Sequence, residues 1–167
     1  MTHIVMIACS KQKLDRGAAA RDLYQGTLFR HALAWADAYA DETYILSAHY
    51  LIVPADAWIE PYNLSLNGFT ASHRRLWANG VLAEIEWWTR YGHFAAPPAE
   101  ITMLAGKHYR RYLVEPLREM GYAVHVPLRG LGYGQQVARL KGQCYYLYEP
   151  PPNSGFCFCP RCEFPEE

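Results

Sequence analysis

Four short apolar segments of the sequence are each followed by small residues and then by cationic or aromatic ones. The four groups are residues 9–13, 47–50, 105–109 and 127–130. Small residues let a ligand approach the backbone closely, and cationic side chains face an anion. We therefore expect a site for an anionic ligand there, although the small residues would also serve as plain strand-to-helix turns. The catalytic candidates in these groups are Ser10 and His49, and the binding candidates are Cys9, Lys11, Lys13, Ser47, Gly106 and Lys107.

A carboxylate, a phenol and an amide stand together in Ile59-Glu60-Pro61-Tyr62-Asn63. Pro61 disfavours helical backbone at the residue before it. Glu60 suits acid/base chemistry or stabilisation of a cation, Tyr62 suits stacking on a base, and Asn63 suits paired hydrogen bonds. Glu60 is the main catalytic candidate for this reason. The alternative is a structural turn in which Tyr62 packs and Glu60 is solvated.

Other motifs offer weaker signals. Cys9 or Ser10 could act as a nucleophile, but no histidine stands at the sequence position of an obvious partner, and a buried structural cysteine is the alternative. Three glycines in residues 130–136 precede a helical pattern, so Gly132 and Gln135 are candidates for holding a phosphate or carboxylate. Their spacing differs from the dinucleotide-binding fingerprint. A glycine turn without a ligand fits equally well.

Four of the five cysteines lie near the end of the sequence. Four thiolates can hold a structural zinc ion in tetrahedral geometry, and the odd total argues against a disulfide framework. Free or oxidisable thiols are the alternative, because a CxC pair differs from the usual CxxC. No organic cofactor is predicted. The candidate zinc ligands are Cys144, Cys157, Cys159 and Cys162.

The hydrophobic pattern alternates between strand-like and helix-like segments. Strands are predicted at residues 3–8, 44–47, 101–104 and 124–126, and helices at 18–39, 71–91, 109–120 and 135–145. This order predicts an α/β fold with a three-layer arrangement, in which helices cover both faces of a mainly parallel sheet. Ligands bind beyond the carboxyl ends of such strands, where the four groups lie. We place the α/β domain at 1–142 and a Pro/Cys-rich tail at 143–167.

Composition fits a single folded domain, with 167 residues, 51% of them hydrophobic and 19% charged. A formal net charge of +0 excludes the whole-molecule field of a promiscuous polyanion or membrane-surface binder. By segment, however, the net charge is +3 in 1–30, −5 in 31–60, 0 in 61–100, +5 in 101–141 and −3 in 142–167. The neutral total therefore conceals two basic segments. No apolar run reaches the ~18 residues of a membrane span and no leader pattern is present, so a cytoplasmic location is predicted.

The ordered strings ACSKQK, ARDLYQGTLFRHAL, YILSAHYLIVP, IEPYNLSLN, LAGKHYRRYLVEPL and PLRGLGYGQQVARLK carry a family resemblance. They resemble a family of small bacterial and phage proteins described only as a domain of unknown function, some of whose members are labelled YaaA-like. The match runs from about Ile4 to Lys141.

A more distant similarity is to the lysine-transfer domain of archaeosine synthase. Cys9, Tyr24 and Thr27 fall on comparable positions of its motif, whereas Asp22 and Arg30 replace its Lys and His. The transferase activity is therefore not carried over. The similarity implies a fold used near modified nucleobases and adds Tyr24 to the substrate-binding candidates.

Two functions fit these observations. The first is an enzyme acting on the base or N-glycosidic bond of nucleotides or modified DNA, with Glu60 as the acid/base and a basic loop holding phosphate. The alternative is a non-catalytic DNA-binding stress or defence protein, as the YaaA-like label implies. The expected partner is a nucleotide or nucleic acid, DNA rather than RNA, without a membrane. Convergence of Glu60, Ser10 and Lys107 on one pocket is expected of the enzyme, and their dispersal is expected of the binder.

Overall fold

A five-stranded sheet forms the centre of the computed structural model, which describes residues 1–144. Four strands are parallel to one another: β1 (His3–Ala8), β3 (Glu42–Ser47), β6 (Glu100–Leu104) and β7 (Ala123–His125). A fifth, β4 (Leu51–Pro54), pairs antiparallel with β3 at one edge, and the order is β4-β3-β1-β6-β7. The chain thus adds strands on one side of β1 and then on the other. The direction of sheet growth reverses between β1 and β6.

Helices and a small second sheet surround this core. The small sheet pairs β2 (Ala18–Ala19) with β5 (Trp58–Ile59), and a 3-10 turn covers Leu66–Gly68. None of the helices described is long and apolar enough to cross a membrane. The helices are α1 (Ala20–Leu23), α2 (Thr27–Tyr39), α3 (Ala71–Arg90), α4 (Lys107–Arg110), α5 (Val114–Glu119) and α6 (Tyr133–Cys144).

The central strand β1 is buried on both faces. Ile4 and Met6 face a core shared with α3 and α5, while Val5 and Ile7 face a second core shared with α2 and α6. A strand covered on both faces needs apolar residues at every position, so it reads as a continuous hydrophobic run instead of an alternation. The mixed α/β fold with a mostly parallel sheet, expected from the sequence, is confirmed. The predicted tail at 143–167 falls almost entirely outside the described residues, and the domain division stays a prediction.

Two predicted helices are interrupted in the structure. The segment 18–39 contains β2 and two helices, because Tyr24 has extended backbone (φ −84°, ψ 123°) and forms a β-bridge with Lys13. The segment 109–120 divides between the short helices α4 and α5. The edge strand β4 is absent from the sequence prediction. It follows a tight hairpin loop, and its first residue, Leu51, takes left-handed backbone (φ 66°). The Leu51 side chain packs against Gly80, where an added Cβ would lie only 3.1 Å from it.

The helix α3 provides a matched test of the core. Ile85 is fully buried on this helix, whereas Leu76 is 67% exposed. Ile85→Ala should lower the free energy of unfolding by about 2–5 kcal/mol through lost burial and a residual cavity. Leu76→Ala should change it by less than about 0.5 kcal/mol. Urea unfolding followed by circular dichroism measures both changes. Equal effects of the two substitutions would contradict the placement of Ile85 on the buried face of α3 and of Leu76 on its exposed face.

Candidate functional site

An open cavity of about 360 Å³ lies at the carboxyl ends of β1 and β6. This is the switch point of the sheet, where ligands of open α/β folds bind. Its volume falls near the lower end of the ~300–1,000 Å³ typical of small-molecule sites. Five parts of the chain line it: the loop after β1, the first turn of α2, the end of β6, the loop after β7 and the start of α6. Their lining residues include Cys9, Ser10, Lys11, Gln12, Gly26, Thr27, Leu28, Gly106, Leu128, Tyr133 and Gln136.

A larger groove of about 640 Å³ lies along α3, against Pro97, Met120 and Tyr122. It is remote from the carboxyl ends of the strands. Its two charged lining residues, Glu86 and Arg90, pair with each other at 3.5 Å. The smaller cavity is therefore the candidate site, because it alone of the two is lined by a thiol and by loops from several strands.

Ser10 and Gly26 shape one wall of the cavity. The Ser10 hydroxyl donates to the Gln12 carbonyl at 2.8 Å and accepts the Gly26 backbone N–H at 3.1 Å. A Cβ at Gly26 would lie 2.7 Å from the Ser10 Cβ, so glycine permits this close approach. The approach brings the first turn of α2, whose leading N–H groups have no partner within the helix, to the edge of the cavity. The observed role of Ser10 is thus to fix this wall.

Behind Cys9 lies a chain of hydroxyl groups. Ser47, which is fully buried at the end of β3, donates to the Tyr62 phenol at 2.8 Å, and that phenol is 2.9 Å from the Tyr24 phenol. The Cys9 thiol is 3.2 Å from the phenol of Tyr109. Side chains from four parts of the fold therefore meet around the thiol.

These phenols stay protonated at physiological pH. Burial raises the pKa of Tyr24 to about 12. Burial also raises the pKa of Tyr62 and of Tyr109, and the neighbouring Cys9 raises both further. A phenol with a raised pKa donates a hydrogen bond without losing its proton. The cluster thus supplies neutral hydrogen-bond donors around Cys9.

Lys13 places an amine over the same cluster. Its Nζ lies 4.3 Å from the centre of the Tyr62 ring and 5.6 Å from that of Tyr24. Burial lowers the pKa of Lys13, and the electrostatic interaction with Cys9 opposes this shift. The amine therefore releases a proton more readily than a surface lysine does, while its charged form favours a nearby thiolate.

His49 and Tyr50 cover the outer side of Tyr62. The exposed His49 ring stacks on Tyr62 with centroids 5.2 Å apart, and Tyr50 meets it edge-on at 5.7 Å. The backbone N–H groups of His49 and Tyr50 donate to the Ser47 hydroxyl at 3.2 and 2.9 Å. The β3–β4 hairpin loop is thereby fixed against the phenol cluster.

Glu60 lies outside the residues that line the cavity. Its side chain is exposed, accepts the Trp58 indole N–H at 3.4 Å, and occupies the space that a Cβ at Gly17 would need. Only its backbone approaches the cluster, through two 3.3 Å hydrogen bonds with the Tyr50 phenol. Asn63 is exposed. The structure thus separates Glu60 and Asn63 from Tyr62, which turns inward between them.

The remaining sequence candidates lie around the cavity rim. Lys107 is exposed and follows the lining residue Gly106. The Gly132 N–H is taken by the Gln135 side chain at 2.9 Å, which closes the loop before α6. Of the three residues expected to converge in an enzyme, Ser10 lines the cavity, Lys107 adjoins it and Glu60 faces elsewhere. The predicted convergence is therefore only partial.

Tyr109 and Gly26 are site residues that the sequence analysis leaves out. Tyr109 lies in the first turn of the helix that follows β6. Side chains of a helix tilt towards its N-terminus, so helical periodicity could have indicated that Tyr109 points back towards the ends of the strands. Gly26 gives no such signal, because its role depends on the approach of Ser10 from a distant segment.

The zinc prediction cannot be compared with side-chain positions, because Cys157, Cys159 and Cys162 lie outside the described residues, as does the side chain of Cys144. Within the described part of the chain, no three His, Cys, Asp or Glu side chains are grouped so as to hold a metal ion. The zinc site stays a prediction.

Comparison with known proteins assigns the chain to a family but identifies no activity for it. No curated protein matches the chain, and no solved structure does. One family model covers residues 4–142, which include every strand of the sheet, the cavity and the phenol cluster. The chain belongs to the family of unknown function DUF6884.

Proposed function

We propose that the protein is an enzyme that modifies the base of a nucleotide, with the Cys9 thiol as the attacking group. The observation that carries this proposal is the position of Cys9: it lines the cavity at the sheet's switch point, 3.2 Å from the Tyr109 phenol and beside the phenol cluster over which the Lys13 amine lies. A thiol becomes a nucleophile as its thiolate, and a neighbouring cation favours that form.

A simple sequence of steps follows from these contacts. The Cys9 proton passes to the Lys13 amine, and the thiolate adds to an electron-poor carbon of the base, forming a C–S bond. The electron pair of the broken ring double bond moves to a neighbouring heteroatom. The protonated phenols of Tyr62 and Tyr109, which adjoin the thiol, are hydrogen-bond donors for that charge, and Lys13 returns the proton to the ring. Water then replaces an amino group of the adduct, which leaves as ammonia. Loss of the added ring proton and expulsion of the thiolate restore the double bond, so the net reaction is hydrolytic deamination of the base.

A nucleotide suits the cavity for four reasons. The volume of about 360 Å³ accommodates a small ligand, and the exposed Lys11 is one of its lining residues. The first turn of α2, whose leading N–H groups have no partner within the helix, borders the cavity beside Ser10, and such groups bind phosphate. The resemblance to the lysine-transfer domain of archaeosine synthase, with Cys9 and Tyr24 on comparable motif positions, supports a modified nucleobase as the target.

Two other functions remain as alternatives. Cleavage of the N-glycosidic bond by Glu60 requires its carboxylate to leave Trp58 and turn towards the cavity. Non-catalytic DNA binding, the function that the YaaA-like label implies, is favoured by the exposed cations that adjoin Gly106 and Leu128 at the cavity rim. The assay below separates all three.

The main test is incubation with normal and modified oligodeoxynucleotides and free nucleotides, followed by mass spectrometry of products and intact protein. We expect a changed base mass, with loss of about 10³-fold or more in rate for Cys9→Ser. Ser10→Ala, which alters the adjacent wall, should retain much more activity than Cys9→Ser. Release of free base that Glu60→Gln abolishes would contradict the Cys9 assignment in favour of bond cleavage. Binding without any product would favour the non-catalytic function.

A second test needs no substrate. The proposed mechanism assigns to Lys13 the activation of Cys9, so Lys13→Gln should slow the alkylation of Cys9 by iodoacetamide at pH 7.5 by about threefold or more, whereas Lys13→Arg should preserve most of the rate. The alkylated Cys9 peptide is quantified by mass spectrometry. Lys11→Gln removes an exposed charge two residues away and serves as the matched control. Equal rates in Lys13→Gln and Lys11→Gln would show that Lys13 does not activate the thiol.

A further inference from the structure

Beside the cavity lies a group of cationic side chains that form no ion pair with the carboxylates of residues 1–144. They come from the start of α3, from α4 and from the loop after β7, all at the carboxyl edge of the sheet. Lys107 follows Gly106 and Arg129 follows Leu128, both of which line the cavity. We call this group the cationic surface, and it consists of Arg74, Arg75, Lys107, Arg110, Arg111 and Arg129.

Several contacts show that these cations lie close together. The guanidinium carbons of Arg75 and Arg111 are 5.2 and 5.4 Å from the centre of the same Tyr112 ring. Arg74 is held by the carbonyls of Leu66 and Asn67, at 2.8 and 3.0 Å. The backbone and an aromatic ring thus position these guanidiniums, and none of the carboxylates in the described part of the chain does.

Electrostatic effects within the surface agree with this geometry. Burial lowers the pKa of His108, and the nearby cations Arg74, Lys107 and Arg111 lower it further. Burial likewise lowers the pKa of Arg110, and Arg129 adds to the shift. Like charges at such distances repel each other, so the surface is a place where a bound anion relieves repulsion.

Carboxylates elsewhere in the described chain do not neutralise this surface. The ion pairs found in residues 1–144 use the guanidiniums of Arg21, Arg90 and Arg118, none of which belongs to it. Asp41, Glu42 and Glu100 stand instead at the amino ends of β3 and β6, the opposite edge of the sheet. Within residues 1–144, these three carboxylates and the cationic surface therefore lie at opposite edges of the sheet.

We infer that the cationic surface binds the phosphodiester backbone of a nucleic-acid strand and delivers one of its bases to the adjacent cavity. Six cations in several chain segments suit a series of phosphates, and a single nucleotide would engage only those at the rim. Delivery of a base rests on the proposed function, whereas backbone binding does not. A base within a duplex would have to be flipped out to enter the cavity, so a single strand should bind at lower cost.

Binding of fluorescent single-stranded, duplex and RNA oligonucleotides, measured by anisotropy over a range of salt concentrations, tests the inference. A single strand that engages about six cations should give a slope of log K against log salt near −4. The double variant Lys107→Gln with Arg129→Gln should reduce that slope by about 1.4 and weaken binding roughly 10- to 30-fold at 0.1 M salt. The double variant Arg75→Gln with Arg111→Gln should show a similar reduction in slope and in affinity. Arg90→Gln with Lys141→Gln removes two exposed charges elsewhere and should change little.

Each outcome separates this inference from the proposed function. Salt-sensitive binding that the Cys9→Ser variant retains would support strand binding by the cationic surface, even when no base is modified. Modification of free nucleotides without oligonucleotide binding would overturn the inference that the cationic surface binds a strand, while the proposed enzyme function would stand. Equal losses in the test and control variants would mean that binding follows total charge alone, and this would also overturn it. Tighter binding of duplex than of single strand would contradict entry of a base from a single strand.

Discussion

The parallel pairing of β1 with β3 on one side and β6 on the other is the constraint on which the site depends. Cys9 follows β1, Ser47 ends β3 and Tyr109 lies beyond β6, so the pairing brings their side chains to one edge of the sheet. Cys9 and Tyr109 are 100 residues apart in sequence and meet at 3.2 Å only because these two strands are in register. The same reversal of sheet growth opens the cavity, since the crossovers leave β1 in opposite directions and no single helix covers the gap between them.

Tyr62 links the parts of the site that the sheet alone does not hold. Its phenol joins the buried hydroxyl of Ser47 to that of Tyr24, and its ring carries Lys13 on one side and contacts His49. Buried hydroxyl groups left without partners are costly, so each member of this chain fixes the others. The thiol, the amine and the donors that the proposed chemistry requires are therefore positioned by one connected set of contacts, drawn from segments with little regular structure of their own.

The four parallel strands could be predicted from sequence, and so could the edge of the sheet at which the cavity lies, whereas the edge strand β4 and the contacts within the candidate site could not. Continuous apolar runs identify β1 and β6 because both faces are buried, and residues after such strands belong at the ligand-binding edge. The break at Tyr24 escapes prediction because the backbone bridge with Lys13 overrides a helical pattern. The roles of Glu60 and Tyr62 were similarly beyond reach, since pairing of β5 with β2 decides which of two nearby side chains turns inward. Short-range patterns describe elements, but these positions depend on long-range pairing.

Within residues 1–144, the cationic surface and the carboxylates Asp41, Glu42 and Glu100 lie at opposite ends of the strands and so contribute an electric dipole along the strand direction. The helices α2, α3 and α6 all begin near the carboxyl edge, so their macrodipoles add in the same sense. A dipole in the field of a polyanion experiences a torque before it makes contact. For the nucleic-acid strand that we propose as the ligand, this torque would orient the cavity towards the strand during approach and raise the fraction of productive encounters.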